Sequence, residues 1–124
     1  MANPSTTGGT GAGTEVLRRS FVKNGDFATQ VKILDGAADH IYTILSITIT
    51  NASGSNNEVV LMYIYPDATS GDETTIIKDM PLAAKETFVW SDKFILTATD
   101  ELYLKTDDTS SLAVWVSYID QTFA

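Results

Sequence analysis

Short runs in which apolar and polar residues alternate are the feature that most restricts how this chain can fold. Between Ile41 and Thr50, the polar residues Ser46, Thr48 and Thr50 predict one exposed face. The side chains expected to face the core on the other side are Ile41, Leu45, Ile47 and Ile49. This pattern is typical of a half-buried antiparallel strand. The run from Glu58 to Tyr65 is apolar at both odd-numbered and even-numbered positions, which predicts a central strand covered on both faces.

The same pattern recurs along the chain. Further strands are predicted at Ser20–Lys23, Phe27–Leu34, Thr74–Lys78, Glu86–Trp90, Phe94–Thr97, Leu102–Lys105 and Leu112–Ile119, with loops at Asp67–Asp72, Pro81–Ala84 and Asp107–Ser110. Apolar spacing typical of a long helix is absent from the sequence. Many short strands in 124 residues predict an all-β fold, an antiparallel β-sandwich of about eight strands. Jelly-roll and immunoglobulin-like strand orders both remain open at this point.

The N-terminal segment differs in composition from the rest of the chain. Residues 1–15 are rich in Gly and Thr and have little apolar surface to bury, so they are predicted to form a flexible arm. Residues 16–124 are predicted to form a single β-sandwich domain. The glycines from Gly8 to Gly13 follow no strand and precede no Gly-Lys-Ser/Thr sequence, which argues against a phosphate-binding loop.

Charge is distributed unevenly along the chain. The net charge of −8 argues against a nucleic-acid partner, since such affinity depends mainly on Lys and Arg. Residues 1–34 nevertheless carry +2, whereas residues 35–124 carry −10. We therefore expect Arg18, Arg19 and Lys23 to bind a partner, although scattered surface charge would give the same numbers. The longest apolar run has seven residues against the ~20 that span a bilayer, so no membrane partner is expected.

Few residues in the sequence point to catalysis or metal binding. The chain has no cysteine, and it has one histidine, His40, preceded by Asp35 and Asp39. These residues could ligate a metal, but a turn entering the next strand explains them more simply. The acidic loops at Asp67–Glu73 and Asp107–Asp108 lack EF-hand spacing and are expected to be solvated rather than to bind calcium. We therefore expect no enzymatic activity, no cofactor and no bound metal.

Aromatic residues fall inside most of the predicted strands. The rings in question are Tyr42, Tyr63, Tyr65, Trp90, Trp115 and Tyr118, and most are expected in the core. If a row of them lay on the surface, it would form a platform for binding sugars.

The order of the segments resembles that of a known class of proteins. The segments that carry the resemblance begin His40-Ile-Tyr-Thr-Ile, Leu45-Ser-Ile-Thr-Ile-Thr, Val59-Val-Leu-Met-Tyr-Ile, Ile76-Ile-Lys-Asp-Met-Pro-Leu-Ala, Lys93-Phe-Ile-Leu-Thr-Ala-Thr-Asp and Ala113-Val-Trp-Val-Ser-Tyr-Ile. Across about residues 38–120 they resemble small β-sandwich virion proteins of tailed bacteriophages. The resemblance implies a structural role on the virion, as a capsid decoration (cement) protein or a tail accessory protein, and an oligomer, commonly a trimer. It implies no catalytic residues.

The leading functional expectation is a non-enzymatic decoration protein of a phage head. Such a protein would be made in the host cytoplasm, bind the major capsid protein or other virion proteins, and stabilise the head from outside. The alternative is a tail-associated module or a module that binds a receptor or carbohydrate. A small hydrolase is less favoured.

Overall fold

The computed structural model describes residues 14–122, which form nine strands and two short 3-10 turns. The strands are β1 (Thr14–Gly25), β2 (Val31–Asp35), β3 (His40–Asn51), β4 (Glu58–Tyr65), β5 (Thr74–Leu82), β6 (Thr87–Trp90), β7 (Phe94–Thr97), β8 (Glu101–Thr106) and β9 (Leu112–Thr122). The 3-10 turns are Pro66–Ala68 and Ser70–Asp72. Most of the predicted flexible arm, residues 1–15, lies outside the described residues, and Thr14 and Glu15 belong to β1. No helix within residues 14–122 is long and apolar enough to cross a membrane.

Two antiparallel sheets form the sandwich. The first sheet has the order β1-β9-β3-β6, with β7 also pairing with β3, and the second has the order β2-β8-β4-β5. The pairing is nested, because β1 pairs with β9, β2 with β8, β3 with β6 and β7, and β4 with β5. When β6 and β7 are counted as one interrupted strand, this nesting is that of an eight-stranded jelly roll. The predicted β-sandwich is confirmed, and the strand order is the jelly roll.

The strand predictions differ from the structure mainly at strand ends. β4 and β7 have the predicted bounds. β5 runs on through Pro81 and Leu82, which were predicted to lie in a loop. It can do so because β5 is an edge strand, where a proline that cannot donate a hydrogen bond is tolerated. Phe27 was predicted to begin a strand but lies in a loop, where its N–H donates to Ser110 Oγ and its carbonyl accepts from Thr106 N–H.

The predicted inward face of β3 is wrong in its first half. Tyr42 and Ile44 point into the core, and Ile47 and Ile49 do so further along the strand. The change of parity follows from a bulge between Ile44 and Ser46 in the pairing with β9, because the extra residue shifts the alternation by one. Ile41 and Leu45, which were expected in the core, are therefore only half-buried.

The core lies between the two sheets. It is made of inward side chains from both sheets together with the loop residue Phe27, and it includes Ile33, Ile44, Ile47, Ile49, Val60, Met62, Leu96, Leu102, Leu104, Leu112, Val114 and Val116. β4 lies between β8 and β5, so its predicted central position is confirmed, but Val59 and Leu61 on its outward face are only half-buried. The outward face of the first sheet is not covered by any other strand or turn of residues 14–122.

Candidate partner-binding face

The outward side of the first sheet concentrates exposed apolar side chains. All five large apolar residues that are exposed within residues 14–122 belong to its strands: Leu17, Phe21, Val89, Ile95 and Trp115. Directly opposed residues share a face of a sheet, and one row runs from Phe21 through Trp115 and Thr48 to Val89. A second row runs from Leu17 through Ile119 and Thr43 to Ile95. We call the surface formed by these two rows the apolar face.

Arg19 lies at the centre of the apolar face. The rings of Phe21 and Trp115 are stacked, with centroids 5.6 Å apart and planes inclined by 23°. The Arg19 guanidinium lies 5.0 Å from the Phe21 centroid and 5.2 Å from the Trp115 centroid. Both distances fall in the range of cation–π attraction. The cation and the two rings therefore attract one another at the surface.

Two shallow hollows flank this group. Leu17, Arg18, Arg19, Leu45 and Ser117 are among the residues that line the first. Leu45, which lines the first hollow, lies at the bulge in β3. The second lies at the other end of β1, where Phe21, Lys23, Thr48, Thr50 and Trp115 contribute to the lining.

Arg18 has a different environment from its neighbours on β1. Its Nε donates to Oδ2 of Asp120 at 2.8 Å, and its side chain is 52% exposed. Asp120 is buried and also accepts a hydrogen bond from Nδ1 of His40 at 2.6 Å. The structure therefore places Arg18, Arg19 and Lys23 along one edge strand. Arg18 is partly engaged within the fold, whereas Arg19 and Lys23 lie along the apolar face.

Among residues 14–122, the contacts of His40 with Asp120 and Thr122 do not form a catalytic triad. Asp120 Oδ1 and Thr122 Oγ1 both approach the same ring nitrogen, Nδ1, at 2.6 and 3.5 Å. A triad needs the carboxylate and the nucleophile on opposite ring nitrogens. The contact between Asp120 and His40 could not be predicted from the sequence, because the two residues lie 80 positions apart. Its position in β9, in alternation with Val114, Val116 and Tyr118, marks it as a charge pointing inward.

Three tyrosines on the outward side of the second sheet contact one another, and two of them contact Gln30. Tyr63 lies among Tyr65 and Tyr103, with centroids 5.4 and 5.7 Å away. The hydroxyls of Tyr63 and Tyr65 both donate to Oε1 of Gln30. Burial raises the pKa of the Tyr63 hydroxyl above its usual range. Trp115, one of the six aromatic residues of which most were expected in the core, is instead 47% exposed on the first sheet.

Three carboxylates at one end of the second sheet could hold a metal ion. Glu58 begins β4, and Asp107 and Asp108 follow β8. One carboxylate oxygen from each residue lies within 4.8 Å of the other two. Glu58 is 2% exposed, and neither of its carboxylate oxygens has a hydrogen-bond partner among the described residues. The sequence points to the acidic loop Asp107–Asp108 but not to Glu58, because Glu58 is a single acidic residue at the start of an apolar run.

No protein-family model matches the sequence, and no curated protein matches it. Solved structures match in fold. A chain from the Bacillus endospore appendages, described as a family of disulfide-linked pili, is 16% identical over 92% of this chain and 93% of that chain, with a TM-score of 0.56. A chain from the acid-stable capsid of Helicobacter pylori bacteriophage KHP30 is 8% identical over 86% of each chain, with a TM-score of 0.50.

The particle of infectious bursal disease virus contains a further match. It is 10% identical over 88% of this chain and 31% of that chain, with a TM-score of 0.57, so the present chain spans about a third of the length of that relative. Identities this low show a shared fold and nothing finer. The chain therefore has a β-sandwich fold of the kind found in viral and phage capsids and in a pilus.

Proposed function

We propose that this chain is a non-enzymatic structural protein of a phage virion, a decoration protein that binds the outer surface of the capsid and stabilises the head. The observation that carries the proposal is the apolar face. Burial of apolar surface stabilises a complex by roughly 25 cal/mol per Å². A sheet with Leu17, Phe21, Val89, Ile95 and Trp115 exposed on one side gains this free energy only when a partner covers it.

The composition of the apolar face suits a protein partner. Aromatic side chains and arginine dominate the residues whose loss most weakens protein interfaces. Phe21, Trp115 and Arg19 supply both types at adjacent positions, and their mutual contacts reduce the entropy lost when a partner orders them. The proposed partner is the major capsid protein.

The fold and the N-terminal segment support the same role. Structures with this fold include a phage capsid and a viral particle, although a sandwich fold alone serves many functions. We propose that the arm, residues 1–15, reaches a neighbouring subunit and that Arg18, Arg19 and Lys23 contribute contacts at its base. Symmetric copies, a trimer being favoured, would then bind with avidity on a regular shell.

The test is to mix the purified chain with expanded capsids that lack it. Electron microscopy of the particles should show added density at regular sites on the outer capsid surface. Decorated heads should also resist heating better than undecorated heads. Density on the tail, or binding to host cells with unchanged head stability, would overturn the decoration role and favour the tail or receptor alternative.

Carbohydrate binding is a second candidate, favoured by the stacked pair of Phe21 and Trp115. Exposed flat rings can stack on the apolar face of a sugar ring, and Trp115 is 47% exposed. Binding on a glycan array that disappears in Trp115→Ser would support this candidate. An array without binding, together with capsid decoration, would exclude it.

A further inference from the structure

The register between β4 and β8 brings Glu58 next to the acidic loop that follows β8. Val60 pairs with Thr106, so two residues back along β4, Glu58 reaches the level of Asp108 in the antiparallel ladder. Glu58 shares its parity with Val60 and Met62, which are both fully buried, and it therefore points inward. The outcome is a buried carboxylate that faces two exposed ones, Asp107 and Asp108.

Glu58 differs from the other buried polar side chains of residues 14–122. Asn51 donates to the carbonyls of Asn56 and Leu82. Asp120 accepts from Arg18 and His40, and Thr106 donates to the carbonyl of Asp108. Glu58 alone has both side-chain oxygens buried without a hydrogen-bond partner in this part of the chain. A buried carboxylate without a donor is costly, so the charge of Glu58 calls for a bound cation or a proton.

The spacing of the oxygens suits a calcium ion. Calcium binds oxygen ligands at about 2.4 Å, so two ligand atoms of one ion lie at most about 4.8 Å apart. The three carboxylate oxygens meet this limit. Asp107 is also oriented by the backbone, since its Oδ1 accepts from Val59 N–H at 3.2 Å.

An open cleft gives this cluster access to solvent. The cleft is lined by Ser55, Asn56, Asn57, Asp108 and Thr109, whose side chains all carry oxygen. Calcium takes six to eight oxygen ligands, and water or these residues could complete its coordination. We propose that Glu58, Asp107 and Asp108 bind one calcium ion that joins the start of β4 to the end of β8.

A proton is the competing occupant of this site. Burial, together with the neighbouring Asp108, raises the pKa of Glu58 to about 7. Calcium requires the deprotonated carboxylate, so its binding is expected to weaken below neutral pH. The proposal is independent of the virion role, because the ion would act within one chain.

The test is calorimetric titration of the full chain with CaCl2, together with thermal unfolding at mildly alkaline pH. We expect one ion per chain and a rise of the unfolding midpoint by roughly 3–8 °C at saturation. The Glu58→Gln variant keeps the shape of the side chain and should lose both responses, even if it is as stable as the wild type in a chelator. Asp108→Asn should weaken binding at least tenfold.

Asp72→Asn is the matched control, because it removes one exposed acidic charge far from the cluster and should keep the full response. Sodium chloride at the same ionic strength should not raise the midpoint. A wild-type chain that takes up no calcium, or a Glu58→Gln variant that binds it unchanged, would overturn the site. If the wild-type chain takes up no calcium, we infer that a proton neutralises the buried carboxyl of Glu58 instead.

Discussion

At the scale of single residues, Glu58 links the fold to pH. Its carboxyl is buried at the start of β4, beside Asp107 and Asp108, with no hydrogen-bond donor among the described residues. Burial is the larger cause that raises its pKa from 4.5 to about 7, and the neighbouring Asp108 adds to it. Between these two pH values, the Glu58 carboxyl is therefore protonated in the folded state and ionised in the unfolded chain.

The stability of the metal-free protein should consequently fall as the pH rises. The contribution of protonated Glu58 is fully present below about pH 4.5 and is lost as the pH rises through about 7. A shift of this size corresponds to roughly 3 kcal/mol. Urea unfolding in a chelator at several pH values should show this decline in the wild type relative to Glu58→Gln. Parallel pH profiles for the two proteins would show that Glu58 does not titrate in this range.

At the scale of the elements, the sequence is informative about strands and less so about the directions of their side chains. Short runs of alternating or continuously apolar residues predict the strands, and β4 and β7 have the predicted bounds. The bulge near Leu45 escaped prediction because it depends on the pairing of β3 with β9, not on local sequence. Leu45 is the extra residue at this bulge, and the residues before it, including Ile41, alternate out of step with Ile47 and Ile49.

For the candidate sites too, a feature could be predicted only where the local sequence carries the signal. The uneven charge along the chain predicts Arg18, Arg19 and Lys23 as partner contacts, and this stays a prediction, although all three lie on β1. The outward direction of Trp115 follows from its alternation with the buried Val114 and Val116. The meeting of Glu58 with Asp108 depends on the register between β4 and β8, which lie far apart in sequence, so it could not be predicted from local pattern.

Two connections interlock at one end of the sandwich. In the link from β2 to β3, the Gly36 N–H donates to the carbonyl of Asp100 at 2.8 Å. In the link from β7 to β8, Ala98 N–H donates to the carbonyl of His40 at 3.0 Å. A Cβ at Gly36 would collide with the carbonyl oxygen of Ala98 and lie 2.6 Å from that of Asp100.

Gly36→Ala should therefore destabilise the fold, because backbone atoms on both links would have to move apart. Overpacking of this kind costs about 1–3 kcal/mol. Chemical denaturation should show the loss, whereas Gly54→Ala, where a Cβ would meet nothing within 4 Å, should change the free energy of unfolding little. Equal stability of the two variants would show that the two links can separate without cost.

At the scale of the whole molecule, charge and apolar surface are unevenly distributed. Half of the eight basic residues lie within residues 1–34, and 14 of the 16 acidic residues lie beyond them. Arg18, Arg19 and Lys23 all belong to β1, at the edge of the sheet that carries the apolar face. If this sheet faces the capsid, the acidic remainder of the protein points toward solvent, where like charges keep neighbouring particles apart.

The orientation on the capsid can be tested by variants on opposite sheets. Trp115→Ser should weaken binding to undecorated capsids by roughly 30-fold or more, as expected for a central aromatic contact. Arg19→Glu should also weaken it, because it removes the cation from the two rings and reverses a charge. Tyr65→Ser, which alters an aromatic residue on the second sheet, should leave binding unchanged.

Co-sedimentation with capsids measures binding, and circular dichroism checks that each variant is folded. Trp115 is half-exposed, so its replacement should cost the fold little, and a loss of binding can be assigned to the face itself. The reverse result, in which Tyr65→Ser fails to bind and Trp115→Ser binds normally, would mean that the second sheet contacts the shell. The apolar face would then point away from the capsid, where it could serve a sugar or a further virion protein.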